Sequence, residues 1–440
     1  MELIRRGWRR LRDDALLRHS VLLLAAAQVV NAANVAFQWA LMRGLPAAEY
    51  GATMAVLGAA MALAVPLEAL RAAVGRQVAR MAAAGAGAPA LRRAVARWLR
   101  ALAAVAAALM GLSAFARPLA SALSLDPVAL VPLGAFALAM SLLLPPYLGA
   151  LQGVESFGRM TVAGLTHSVG RLAIGTALVF GVSATAAAAV AGQALGCAIA
   201  AAVGYAAWRS AAARFEGRGA AASADPGARA DEGYFFRALV VLAAFGALLN
   251  ADVPLAKRYF SAEVAGAFAR AATIARAVVF LPMPIAIAVF PKIVARAADD
   301  AERRALERRA ALMTAALIAA ATAGAWFFGG WLWRVFVGRD PTLGELRRIR
   351  ELALAMAPLG GIYLQVNVLL ARGAWRRGLW LVPAALGYAL AVARRHEDPS
   401  DIARALGIAA AAGLIAMTFF HRPDETRAAG LGLRPPCGRG

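Results

Sequence analysis

Cysteine is almost missing from this chain. Only Cys197 and Cys437 occur, one inside an apolar run and the other in a polar tail, so no disulfide framework is expected and cysteine assigns no redox compartment. Histidine is as thin: His19, His167, His396 and His421 are scattered and give no metal-ligand spacing. No glycine-rich loop carries the phosphate-cradling or dinucleotide pattern. The residues therefore offer no catalytic constellation, no metal site and no cofactor, and the chain does not read as an enzyme. Negative charge is also scarce, with 25 Asp and Glu against 47 Lys and Arg and a net charge of +22. In a soluble protein that excess would suggest nucleic acid, because clustered arginine neutralises phosphate. Here nucleic acid is not expected, because the rest of the composition gives the charge another use.

What the chain has in abundance is apolar sequence. Hydrophobic residues make up 61% of its 440 positions and the mean hydropathy is +0.64, well above the roughly 45–50% apolar content of soluble domains. That surplus must face lipid or lie between lipid-embedded helices. Runs without charge fall at 19–42, 50–67, 101–116, 127–154, 172–208, 310–333, 352–371, 378–393 and 405–420, and near-continuous ones at 238–251 and 277–291. The run from Leu172 is too long for one helix across about 30 Å of hydrocarbon at 1.5 Å per residue. It breaks naturally at Gly181-Val182-Ser183. The expected fold is thus an all-α membrane protein of about twelve transmembrane helices.

Orientation follows from the basic residues. With the N-terminus inside, the cytoplasmic segments collect the large majority of the 47 Lys and Arg, so an even number of crossings places both termini in the cytoplasm. The Arg-rich start followed by an apolar run reads as a retained first helix rather than a cleaved leader. Leu3, Trp8, Leu11 and Leu16 lie among arginines in residues 1–19, the pattern of an interfacial amphipathic helix or of a solvated basic leader. The longest polar connection, 209–233, is a cytoplasmic linker between an N-terminal lobe, 1–208, and a C-terminal lobe, 234–421, with a tail at 422–440. Arg43 and Gly51 recur at the same separation as Arg258 and Gly266, as in parallel repeats.

Ionisable groups at membrane depth carry the functional signal, since each costs roughly 2.5–3.5 kcal/mol at a helix centre unless it meets a cavity or a partner. Arg171 lies near the middle of the fifth span and is the best cavity candidate by depth. Arg270 and Arg276 fall in the eighth span, about 120° apart around a helix, so one is expected in a cavity and the other to snorkel. The excess of arginine suits an anionic substrate, because the guanidinium fork grips phosphate oxygens bidentately. Asp252, beside Asn250 and before Lys257, is either a gating or ion-coupling group or half of a static pair with Arg270 or Lys257. Asn31, Asn34 and Gln38 recur at helical spacing on the first span; they either line a lumen or bond across to a neighbouring helix. Glu68 and Arg71 read as a pair at a cytoplasmic helix end.

These residues also carry a resemblance. Leu45-Pro46-Ala47-Ala48-Glu49-Tyr50-Gly51, then Ala150-Leu151-Gln152-Gly153 with Phe157 and Arg171-Leu172, then Asn250-Ala251-Asp252 with Ser261-Ala262-Glu263-Val264-Ala265-Gly266-Ala267-Phe268 and Phe290-Pro291, resemble the polysaccharide flippases of the multidrug, oligosaccharidyl-lipid and polysaccharide exporter superfamily. From Gly378 onward no motif of that family is present. The resemblance implies two six-helix lobes around a central cavity, alternating access, and passage of lipid-pyrophosphate-linked oligosaccharides across a bacterial inner membrane for surface or exopolysaccharide synthesis. The implied partners are the lipid-linked glycan, the bilayer, and a polysaccharide polymerase or glycosyltransferase. Two rivals remain: a multidrug cation antiporter of the same superfamily, for which Asp252 is nearly the only deep acid, and a membrane-embedded glycan polymerase or ligase, for which the external loops are short.

Overall fold

With no water in the bilayer core, a spanning backbone must satisfy its own N–H and C=O groups, and a helix does so within one segment. The computed structural model of the chain describes residues 15–217, 228–286, 300–372 and 374–419, with Val289 and Ile293. All its regular elements there are helices. They are α1 Ala15–Gly44, α2 Ala47–Ala83, α3 Ala88–Gly111 with its 3-10 extension Leu112–Phe115, α4 Ala116–Ala122, α5 Leu130–Ser141, α6 Leu144–Gly153, α7 Phe157–Gly181 and α8 Ala186–Ala213. After the linker come α9 Ala228–Asn250, α10 Asp252–Tyr259, α11 Ala262–Ala275, α12 Ala277–Phe280, α13 Asp300–Val337, α14 Leu343–Ala371, α15 Trp375–Gly378, α16 Leu381–Arg394 and α17 Pro399–Phe419.

As far as they are described, the twelve expected spans fall on helix, the fourth on α5 with α6, the seventh on α9 with α10 and the eighth, described to Ala286 with Val289, on α11 with α12. Among the described residues eight helices are long and apolar enough to cross a membrane, or nine if the bent pair Phe235–Asn250 and Asp252–Tyr259 is one span. The fifth and sixth spans part at Val182–Thr185, where Gly181 ends α7, as the sequence indicated. The linker is shorter than expected, because α8 continues to Ala213 and α9 begins at Ala228. The expected interfacial segment up to Asp14, linker residues 218–227, Phe290-Pro291 and the tail lie outside the described residues.

Two breaks have a local cause. Pro254 stands in the first turn of α10, where its missing N–H leaves the Asn250 carbonyl without a helical donor and its ring crowds that carbonyl. The seventh span accordingly bends by 48° at Ala251. In the fourth span the turn at Leu142–Leu143 is followed by Pro145 and Pro146, which fit the first helical positions because no N–H is needed there.

The chain forms two compact units. The first runs to Phe236 and takes in Phe260–Ala267 and Phe336–Gly338; the second holds the remainder. In the first unit α7 packs along α8 and α1, α2 along α6, and α5 along α8. Its core gathers Leu70, Val74, Leu91, Trp98, Leu151 and Trp208, with the Trp98 indole donating to Gln77 at 2.9 Å. Lipid tails give no hydrophobic drive between helices, so small residues that admit close packing decide the contacts. A Cβ on Gly192 would collide with Gly175, and one on Gly51 would stand 2.9 Å from the Cα of Gly266. The two recurring glycines of the sequence thus touch each other inside this unit. The Glu49 carboxylate accepts the Ala186 N–H at 2.6 Å and satisfies an orphan donor at the start of α8.

In the second unit α14 packs along α17, and α17 along α16. Trp333, Ile349, Leu352, Met356 and Leu359 are fully buried. Thr342 and Glu345 form a capping box at the start of α14, and Glu345 also receives Arg339.

Candidate functional site

The first unit holds a cationic centre. Arg171 projects from the middle of α7, donating to Asn34 of α1 at 2.8 Å and to Gln193 of α8 at 3.2 Å. Its guanidinium lies 4.8 Å from the Phe37 ring centroid, within cation–π range. Both hydrogen-bond acceptors are neutral amides. No carboxylate pairs with Arg171 among the described residues, and its Nε is buried without a partner. The centre borders a cavity of about 240 Å³ whose polar lining includes Gln38, Glu68, His167, Arg171, Gln193 and Cys197. Glu68 is the acid on that lining, and it is exposed and turned to Arg71 at 3.4 Å.

The sequence stripe on the first span resolves into distinct fates. Asn34 and Gln38 bond across to neighbouring helices, Gln38 accepting from the Tyr50 hydroxyl at 3.1 Å, while Gln38 also faces the cavity. Asn31 is exposed and lies outside the cluster. Sequence reasoning missed Gln193, Phe37, His167 and Cys197. The available signal was Gln193, an amide within an apolar run with Cys197 one turn later, so that both point the same way; the Gln193 side chain donates to the Cys197 sulfur at 3.3 Å.

The second unit holds the deep acid. Asp252 is fully buried at the start of α10 and pairs with Arg276, whose guanidinium also donates to the Leu249 carbonyl at 3.4 Å. Arg276 is thus a partner of Asp252, a pairing the sequence did not indicate. Asn250 donates to the Gly246 carbonyl at 3.0 Å. Arg270, Arg276 and Lys257 are all buried, so neither arginine of the eighth span snorkels. The second Asp252 oxygen, the Arg276 Nε and Nη1 and the Tyr388 hydroxyl are buried without hydrogen-bond partners. Among the described residues no group of three or more His, Cys, Asp or Glu could hold a metal.

The two interiors differ in charge. One presents an arginine held by neutral groups; the other presents an acid neutralised by an internal arginine.

At the level of sequence, no protein-family model and no curated protein matches the chain. Solved structures do match its fold. An inward-facing multidrug resistance MATE family transporter of the MOP superfamily aligns with TM-score 0.69 at 11% identity, over 90% of this chain and 94% of that one. The lipid II flippase MurJ in an inward closed conformation aligns with TM-score 0.63 at 12% identity, over 92% and 87%. The eukaryotic MATE transporter AtDTX14 aligns with TM-score 0.63 at 13% identity, over 94% and 99%. The chain therefore has the fold shared by these membrane transporters.

Proposed function

We propose that this protein is a flippase that carries lipid-pyrophosphate-linked oligosaccharides across the bacterial inner membrane by alternating access, for surface polysaccharide synthesis, with both termini in the cytoplasm. One observation carries the reading: Arg171, on a cavity, is oriented by Asn34, Gln193 and Phe37 and has no carboxylate in a salt bridge with it among the described residues. An uncompensated guanidinium in low dielectric attracts a phosphate or acidic sugar and repels a cation. Gln38, which faces the cavity, would offer an amide toward sugar, while Asn34 holds the guanidinium in place. Asp252 with Asn250 and Lys257 would gate or couple the cycle. A polysaccharide polymerase or glycosyltransferase would act on either side of the transfer.

Export of cationic drugs is the competing reading, and the multidrug neighbour has the higher TM-score of the two types, 0.69 against 0.63. Fold likeness at such identity does not separate the substrates; the charge of the Arg171 centre supports the anionic one. A drug cation needs an available carboxylate; Asp252 is paired, and Glu68 on the cavity lining is turned to Arg71 at 3.4 Å. The test is leaflet-resolved glycan-lipid in cells carrying Arg171→Ala and Arg171→Lys. Accumulation on the cytoplasmic leaflet is expected for the first and a milder effect for the second. Normal export by a folded Arg171→Ala protein would overturn the assignment.

A further inference from the structure

His167 stands one turn before Arg171 on α7, so both side chains leave the same face of the helix. Both line the cavity of about 240 Å³, and Cys197 of α8 lines it with them. The Cys197 sulfur lies 3.7 Å from His167 Nδ1 and 3.3 Å from the Gln193 amide. A thiol, an imidazole, an amide and a guanidinium therefore form one connected chain. What they do depends on where each hydrogen sits.

Arg171 fixes the first of them. A guanidinium only donates, and Arg171 Nη1 lies 3.2 Å from Gln193, so that contact is to the amide oxygen. The Gln193 NH₂ is then turned to Cys197 and donates to the sulfur. With the sulfur used as an acceptor, its own hydrogen needs a partner, and among the described residues the thiol's other polar contact is His167 Nδ1. An imidazole nitrogen is also a better acceptor than a thiol sulfur, which accepts weakly. A charged ring is disfavoured one turn from a guanidinium, where like charges repel, and a neutral ring carries a single hydrogen. With Nδ1 accepting from the thiol, that hydrogen sits on Nε2, at the opposite edge of the ring, because the bond made by one ring nitrogen sets the state of the other.

We infer that His167 is a second anion-binding residue of this cavity: a neutral Nε2–H donor, positioned through Cys197 and Gln193, that acts beside the Arg171 guanidinium on a singly charged oxyanion. One full charge with one neutral donor matches a phosphodiester or a sugar carboxylate, whose ionised oxygens take strong hydrogen bonds. The half-buried ring meets the cavity, while Cys197 beside it is fully buried and serves only to hold the ring. Calling the anion part of a carried substrate rests on the flippase reading above; the tautomer and the donor do not.

Nitrogen NMR of the full-length protein in nanodiscs, with isotope-labelled histidine, reads the tautomer, and the signals lost in His167→Gln assign it. His167 should carry its hydrogen on Nε2. Cys197→Ser, which keeps a donor, should retain that form, whereas Cys197→Ala should release a mixture of both. Anion binding is read by scintillation proximity with radiolabelled dimethyl phosphate and, separately, glucuronate. His167→Asn, whose amide is too short to reach the Nε2 position, should weaken binding about tenfold, while His167→Gln, whose NH₂ reaches it, should stay within about threefold of wild type. Such dependence with dimethyl phosphate supports the site and identifies the lipid-linked phosphate as its ligand; with glucuronate it supports the site and identifies an acidic sugar. Hydrogen on Nδ1, binding of neither anion, or equal affinities in His167→Asn and His167→Gln would overturn the donor. Transport of a lipid-pyrophosphate-linked glycan into proteoliposomes separates the two proposals. If wild type transports and His167→Asn transports equally well, the donor falls and the flippase stands. Anion binding that depends on His167, without transport by wild type, supports the donor and removes the flippase.

Discussion

Arg171 of α7 lies directly over Gly196 of α8: a Cβ built on Gly196 would stand 2.8 Å from the nitrogen, Cα and Cβ of Arg171. The absence of one methyl group sets how far α7 approaches α8, and with it where the guanidinium sits. Gly192 against Gly175, one turn further along, keeps the same two helices together.

Gly196→Ala should therefore push α7 from α8 and displace the cationic centre. Overpacking of this kind costs about 1–3 kcal/mol. Thermal unfolding in detergent should show the loss, and transport should fall with it. Gly164→Ala, on the same α7 where nothing lies within 4 Å of an added Cβ, should change neither; an equal loss there would mean that α7 tolerates no substitution for reasons unrelated to Arg171.

Asn34→Asp places a carboxylate where an amide now accepts from Arg171 at 2.8 Å. The new pair should neutralise the centre, lowering glycan-lipid transport by about tenfold or more, equivalent to 1.4 kcal/mol or greater, with expression unchanged. A gain of resistance to cationic dyes in wild-type cells over a null strain, with glycan export intact in Asn34→Asp, would instead favour drug export.

For the Asp252–Arg276 pair, removing one partner strands a buried charge, which costs about 3–5 kcal/mol. Asp252→Asn and Arg276→Gln should each destabilise strongly, and the double variant should recover much of the loss in a double-mutant cycle. Transport distinguishes the roles of Asp252. A double variant that is stable but inactive marks a working group; one that is stable and active marks a static pair.

Glu49→Ala should cost about 0.5–2 kcal/mol, the range for losing a helix N-terminal cap, because the Ala186 N–H loses its 2.6 Å acceptor. Thr185 still caps Ala188 at 3.4 Å, so the loss should lie at the low end. Thermal unfolding measures it. A null effect would show that water replaces the carboxylate. The acid in the Leu45–Gly51 motif thereby acquires a structural role, tying the second span to the sixth.

Much of this protein was legible along the chain. Charge-free runs located the spans because lipid imposes the same requirement on every crossing, and Gly181 marked the division between α7 and α8. The scarcity of acid beside abundant arginine raised the expectation of an anionic substrate before any distance was known. The sequence also identified Arg171, Asn34 and Asp252 as residues too costly to be lipid-facing. It could not name their partners. Asp252 finds Arg276 because Pro254 bends the seventh span, and Arg171 finds Gln193 because glycines let α7 and α8 close. An alanine-rich chain offers many equivalent helix faces, and which of them meet is decided by sub-ångström packing between segments far apart in sequence. Only the tertiary structure supplied that, and with it the difference between a neutralised acid in one unit and an arginine held by neutral groups in the other.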